Sequence, residues 1–228
     1  MRAFRAHAAG IVTKFRIGSG DSLTQSILVP AIGMMRQNGG VLNLSLSSLR
    51  TRDIVEQLKE LQIEFGLLRD DGVERPLRCE KICKLRYAIF VPRSLAAFRR
   101  PSLKEALLQC PHAAISGDGQ LMKKLRDLAR KLGGDFVPEL TYNTIPQCVA
   151  AVETGAFAAV IPMQTWKGSS ASKHIVVEDA ALTPLSRQIV VAWHPRTIEV
   201  MGAPAERMKS SLIKALKQAS EAAGASCS

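Results

Sequence analysis

Along the chain the apolar positions switch repeatedly between the twofold alternation of strands and the 3.6-residue spacing of helices, and each switch falls at a short Ser/Thr/Gly turn. After the strand-like run at Phe15 to Gly18, Leu23, Ile27, Ala31 and Met34 share one helical face. Ser22 and Gln25 have capping-box spacing and predict the start of that helix, Pro30 a kink within it, and Asn38-Gly39-Gly40 its end. Val41 to Leu46 alternates as a second strand. A helix capped by Thr51 or a nearby serine turns Ile54, Val55, Leu58 and Leu61 inward, and Ile63 to Leu68 reads as a buried third strand. This β-α-β-α-β order predicts a parallel sheet with right-handed crossovers.

The pattern then repeats. Beyond the polar turn Arg69 to Arg75, extended runs at Leu77 to Ile82 and Leu85 to Val91 end at Pro92. Ala113 to Ser116 predicts a strand, and a helix follows with Leu121, Leu125, Leu128 and Leu132 on one face, closed by Gly133-Gly134. Next come a strand at Phe136 to Thr141, a helix capped near Thr144 with Pro146 and Gln147 in its first turn, and a buried strand at Ala158 to Ile161. Leu185 to Trp193 is a further strand, and Pro204 to Ala222 an amphipathic helix with Met208, Leu212, Ile213, Leu216 and Ala219 inward. Two lobes of similar plan are expected, residues 15–89 with 191–228 and residues 90–190, hinged at Ile89-Phe90-Val91 and Gln188-Ile189-Val190. Residues 1–14 lie outside both, as the remnant of a linker helix or a disordered arm.

Composition narrows the function more than the fold. A 46% hydrophobic content in 228 residues supports a folded core, and the longest apolar stretches fall far short of the roughly 20 residues that span a bilayer. No membrane association or secretion is expected. The five cysteines form no CxxC pair, so neither a disulfide framework nor a metal site is implied, and a reducing cytoplasm fits. The formal net charge of +11 raises nucleic acid or an acidic ligand as a partner, but the basic residues are scattered and few aromatics accompany them. The four histidines stand apart from any nucleophile in a recognised motif, and no phosphate-binding loop occurs, so no enzyme activity and no cofactor are expected.

Candidate chemistry sits at the junctions, where unpaired amides, hydroxyls and the positive end of a helix dipole gather at the carboxyl end of a strand. Ser19, Gly20, Asp21 and Ser22 form the first such group, Ser48, Leu49, Arg50 and Thr51 the second, and Tyr142, Asn143 and Thr144 the third. Ser22, Thr51 and Thr144 are equally well explained as helix caps, and the two roles can coexist. Arg50 is the sharpest ligand candidate, since a guanidinium can grip a carboxylate bidentately. Asp21 and Asp118 would repel an anion unless they select an amine or a hydroxyl, which leaves the ligand's charge open.

The segments Arg16-Ile17-Gly18-Ser19-Gly20-Asp21-Ser22 with Leu28-Val29-Pro30, Ile63 to Arg69, Tyr87-Ala88-Ile89-Phe90-Val91-Pro92, and Cys148 to Gly155 with Val160-Ile161-Pro162 resemble, in order, the effector-binding domain of LysR-type transcriptional regulators. The chain departs from the family's pattern at Ala156-Phe157 and at Leu61-Gln62-Ile63-Glu64. The resemblance implies an α/β fold of two Rossmann-like lobes joined by two crossover strands, the type-2 periplasmic-binding-protein plan. It implies a small-molecule effector, an organic acid or other anion among the candidates, held between the lobes, and assembly as a homodimer or homotetramer. DNA would be met only through a winged helix-turn-helix absent from these residues, because Met1 to Lys14 supplies at most the tail of a linker helix. The effector contacts it implies are Ser19 to Ser22, Ser48 to Thr51, Ser116, Asp118, Asn143, Thr144 and Met163. A solute-binding receptor or a bilobal enzyme of the same fold is the alternative reading.

Overall fold

The computed structural model of the chain describes residues 13–40, 42–95, 100–116, 119–166 and 173–224. Its first half runs β1 (Phe15–Ser19), α1 (Asp21–Leu23), a π turn (Thr24–Leu28), α2 (Val29–Gln37), β2 (Leu44–Ser48), α3 (Thr51–Lys59), β3 (Phe65–Arg69), β4 (Arg78–Leu85) and β5 (Tyr87–Pro92). There follow α4 (Leu103–Leu108), β6 (Ala113–Ile115), α5 (Gly119–Lys131), β7 (Leu140–Tyr142), α6 (Ile145–Glu153), β8 (Ala159–Pro162), β9 (His174–Val177), β10 (Arg187–Trp193), α7 (Pro195–Met201) and α8 (Ala203–Ala222).

The first lobe is a continuous five-stranded sheet in the order β2-β1-β3-β10-β4. β1 pairs in parallel with β2 and β3, as the β-α-β-α-β pattern predicts, and β10 returns antiparallel between β3 and β4. Alternate strand residues bury opposite faces. Ile17, Phe65, Ile189 and Val191 pack under α2 and α8, while Leu68, Val190 and Ala192 pack under α3 through Ile54, Val55 and Leu58. That second contact is close enough to require glycine. A Cβ on Gly66 would lie 2.4 Å from Ile54 Cγ2 and 3.0 Å from Leu58 Cδ1.

In the second lobe β5 lies between β8 and β9, antiparallel to both, and β6 pairs with β7 in a separate two-stranded ladder. A single parallel bridge, His112 to Ala158, joins the two ladders. Ile89, Val91 and Val160 meet α4 and α5 on one face, and Ala88, Phe90 and Ile161 meet α6 on the other.

Several local expectations are corrected. Ser22 is not a cap: α1 begins one residue earlier, with Gly20 as its N-cap and no side-chain cap. The kink at Pro30 takes the form of the π turn immediately before it, where a proline's missing N–H and its clash with the Ser26 carbonyl would fall. Thr51 is the first residue of α3, whose N-cap is Arg50, and no side chain caps it. Leu61 lies beyond the end of α3, in a left-handed conformation with φ of 58°. The chain passes from the five-stranded to the three-stranded sheet between β4 and β5, at Arg86, and is back in the first sheet at β10, after Ser186. The short elements α4, β9 and α7 have no counterpart in the sequence pattern as read.

Candidate functional site

Parallel β1 and β2 end side by side, so the two junctions that follow them are neighbours. The Leu49 amide donates to the Ser19 carbonyl at 3.0 Å, and the Ser48 hydroxyl donates to the Asp21 carboxylate. Ser19 is fully buried, whereas Asp21, Ser22, Ser48, Arg50 and Thr51 keep solvent access. In the second lobe the parallel pair β6–β7 does the same: the Ser116 hydroxyl reaches the Tyr142 carbonyl and Asn143 Oδ1, each at 3.1 Å. Thr144 opens α6 as the sequence predicts, its amide and hydroxyl donating to Gln147 Oε1 at 3.2 and 3.1 Å. Met163 packs against the core of the second lobe beside Trp166. Asp118 lies outside the described residues.

The lobes meet where α1 packs on α6 and the π turn packs on the turn at Met163–Thr165. Between them lies a cleft of ≈ 260 Å³. One wall comes from the first lobe, with Ser22, Gln25 and Ser26; the other from the second, with Pro146, Val149, Ala150, Glu153 and Thr165. Of the residues expected from sequence, only Ser22 lines it. The remaining lining residues sit on helix flanks rather than at strand ends. Their signal was present as a stripe of small and polar residues at i, i+3, i+4 and i+7 along α6, Pro146 to Glu153, facing the i, i+4 serines 22 and 26.

The cleft's electrostatics are one-sided. Its polar groups are two serine hydroxyls, a threonine hydroxyl, a glutamine amide and the Glu153 carboxylate, and no lysine or arginine among the described residues lines it. Glu153 forms no ion pair among the described residues. A separate cavity of ≈ 420 Å³ at the crossings between the sheets is lined by Lys84 and Arg86 on one side and Glu178 and Asp179 on the other, with Arg86 3.9 Å from Glu178. Its charges balance within it.

No group of three or more His, Cys, Asp or Glu among the described residues could hold a metal ion. Burial pushes the Cys148 thiol up to about 11 and raises those of Cys110 and Cys79. Thiolate is therefore scarce at neutral pH, and none of these cysteines is an activated nucleophile.

Two doubly covered α/β lobes, crossed by the chain twice and parted by a cleft, define a bilobal binding-domain fold. The LysR substrate binding domain family matches residues 8–203, and the chain belongs to that family, whose members are regulatory and non-enzymatic. Among solved structures it is similar to HinK, a LysR family transcriptional regulator from Pseudomonas aeruginosa, with 16% identity and a TM-score of 0.71 over 95% of this chain and 76% of that one. The regulatory domain of MexT, a transcriptional activator in Pseudomonas aeruginosa, matches at 18% identity and 0.70 over 91% and 100%. A reduced form of OxyR from N. meningitidis matches at 17% and 0.68 over 90% and 95%. No curated protein matches the chain in sequence. No helix among the described residues is long and apolar enough to cross a membrane.

Proposed function

We propose that this chain is the effector-sensing domain of a LysR-type transcriptional regulator, binding a small metabolite between its lobes and passing the change in lobe arrangement to a DNA-binding domain. The observation that carries the reading is the ≈ 260 Å³ cleft walled by α1 and the π turn on one side and by α6 on the other. Ser22, Gln25, Ser26 and Thr165 supply hydrogen bonds, with Asp21, Ser48, Ser116, Asn143 and Thr144 as the strand-end contacts around it. The lobes divide at Arg86 and Ser186. In the cell the domain works in the cytoplasm, as part of a homodimer or homotetramer.

The cleft lining favours an effector other than the organic acid considered from sequence. A carboxylate facing hydroxyls, an amide and no cation selects an amine-bearing or hydroxylated metabolite and repels an anion.

Thermal-shift screening of the chain against polyamines, amino alcohols, sugars and organic acids tests this. A ligand at about 100 times its dissociation constant adds about 2.7 kcal/mol to stability, and Ala150→Trp, which fills the cleft from an exposed helix position, abolishes the shift. Failure of every compound to stabilise the chain, or full binding by Ala150→Trp, overturns the sensor reading; stabilisation by organic acids alone overturns the amine preference and leaves the sensor intact.

A further inference from the structure

We infer a second ligand site, in the first lobe and away from the cleft, that takes a small anionic amphiphile such as an aryl carboxylate. A groove of ≈ 670 Å³ runs along α8 beside the end of α2 and the start of β1. This volume is within the range of small-molecule pockets and exceeds that of the inter-lobe cleft. Phe15 and Met35, 3% and 7% exposed, form an apolar floor with the half-buried Leu42 and Met208.

The charges on α8 are sorted. Lys209 pairs with Glu206 at 2.7 Å and lies 5.0 Å from the Trp193 ring, and Lys217 pairs with Glu80 at 2.7 Å. Arg207 and Lys214 have no such partner among the described residues, and these are the two α8 cations that line the groove. Two turns apart on one helix face, they stand roughly 10 Å from each other along the axis. No acidic residue among the described residues lines the groove. An apolar floor beneath two uncompensated cations is complementary to a flat or short apolar body carrying one carboxylate, with Arg207 able to bind it bidentately.

The groove and the cleft therefore have opposite electrostatic character. Among the described residues, one presents cations and no carboxylate, the other a carboxylate and no cation. This inference is independent of the sensor reading, since it draws on none of the cleft's residues.

Saturation-transfer NMR and calorimetric titration of the full chain with 2-naphthoate, against 2-naphthamide as the uncharged control, test the site. Saturable binding of the carboxylate is expected, weakened about tenfold or more in the amide, where the charge-assisted hydrogen bonds are lost. The charge reversal Arg207→Glu with Lys214→Glu, at exposed positions, is expected to abolish it. Ser211→Trp, which fills the groove from the solvent side of α8, is expected to do the same, whereas Ala150→Trp in the cleft leaves it unchanged. Absence of saturable binding, equal affinity for the amide, or retention of binding in either groove variant overturns the proposal.

Discussion

The two lobes share a plan but hold it together differently. In the first, five strands form one unbroken ladder, so backbone pairing alone fixes the sheet from β2 to β4. In the second, a three-stranded and a two-stranded ladder meet at one residue, His112. That residue is held from several sides. Its carbonyl accepts from the Glu139 and Leu140 amides at 3.0 and 3.2 Å, its Nε2 donates to the Ala106 carbonyl at 2.9 Å, and its ring meets the edge of Phe136 at 4.9 Å between centroids. A sheet whose continuity depends on side-chain anchoring is more exposed to single substitutions and to acid than one held by its backbone. The chain's two tryptophans, Trp193 in the first lobe and Trp166 in the second, report on the two separately.

The largest effects come from one deeply buried phenylalanine in each sheet. Phe65→Ala and Phe90→Ala, at 0% and 2% exposure, are each expected to cost about 3–5 kcal/mol in urea denaturation. Phe90→Ala should be the more severe by about 0.5 kcal/mol, because Trp166 stacks on its ring at 5.0 Å, a closer contact than the tilted 6.0 Å pair that Phe65 makes with Phe15. An equal or smaller loss in Phe90→Ala would show that the second lobe gains nothing from that stack.

Acid separates the lobes next. Because a carbonyl can only accept, His112 carries its proton on Nε2, and its buried Nδ1 has no partner. Burial holds the ring's pKa down to about 4 from an ordinary 6.5. Above pH 6.5 neither the folded nor the unfolded chain is protonated there and the full stability is present. As pH falls from 6.5 to about 4 the unfolded chain takes up a proton that the folded one refuses, and stability drops by up to about 3 kcal/mol. Trp166 fluorescence should lose its folded signal at a higher pH than Trp193, and His112→Phe should flatten the slope across that window. Coincident acid transitions for both tryptophans would contradict the contrast between the lobes.

The elements that carried the first lobe were legible because local periodicity decides them: the helical spacing of Ile54, Val55 and Leu58 needs no distant partner to be read, while the strand expected at Val41 to Leu46 runs Leu44–Ser48, with Val41 outside the described residues. Caps were read less well. Ser22 and Thr51 have the right chemistry, but the N-cap falls two residues before the first, at Gly20, and one before the second, at Arg50. The capping box Ser102-Leu103-Lys104-Glu105 is present in the sequence but predicts no helix by itself, because the helix behind it is only six residues long and shows no full amphipathic period. His112 was not legible at all, and the α6 stripe, though present in the sequence, did not by itself point to a cleft. A lone histidine and a stripe of small residues take their meaning from what folds against them. Glu64 marks the same limit. It occupies one of the positions where the chain departs from its family's pattern, and its carboxylate clamps the Arg16 amide at 2.5 Å and the guanidinium at 2.6 Å. Glu64→Ala should cost about 1–3 kcal/mol, chiefly by stranding that amide, with the Trp166 transition unmoved; a shift in Trp166 would mean that the lobes are coupled more tightly than their separate sheets imply.

The smallest effect tests whether the second lobe's anchor extends back to its helix. Ser102 caps α4 reciprocally: its hydroxyl accepts from the Glu105 amide at 3.3 Å while its own amide donates to Glu105 Oε2 at 2.7 Å. The carbonyl that receives the His112 proton belongs to Ala106, in the next turn of the same six-residue helix. So short a helix draws little stability from propensity and depends on its cap and its packing. Ser102→Ala should therefore cost about 1 kcal/mol and also loosen the Ala106 carbonyl, raising amide exchange through α4 and moving the acid transition of Trp166 to higher pH. If stability falls while the acid transition stays in place, the cap supports α4 alone, and His112 is held by Phe136 and its backbone bonds without help from the helix.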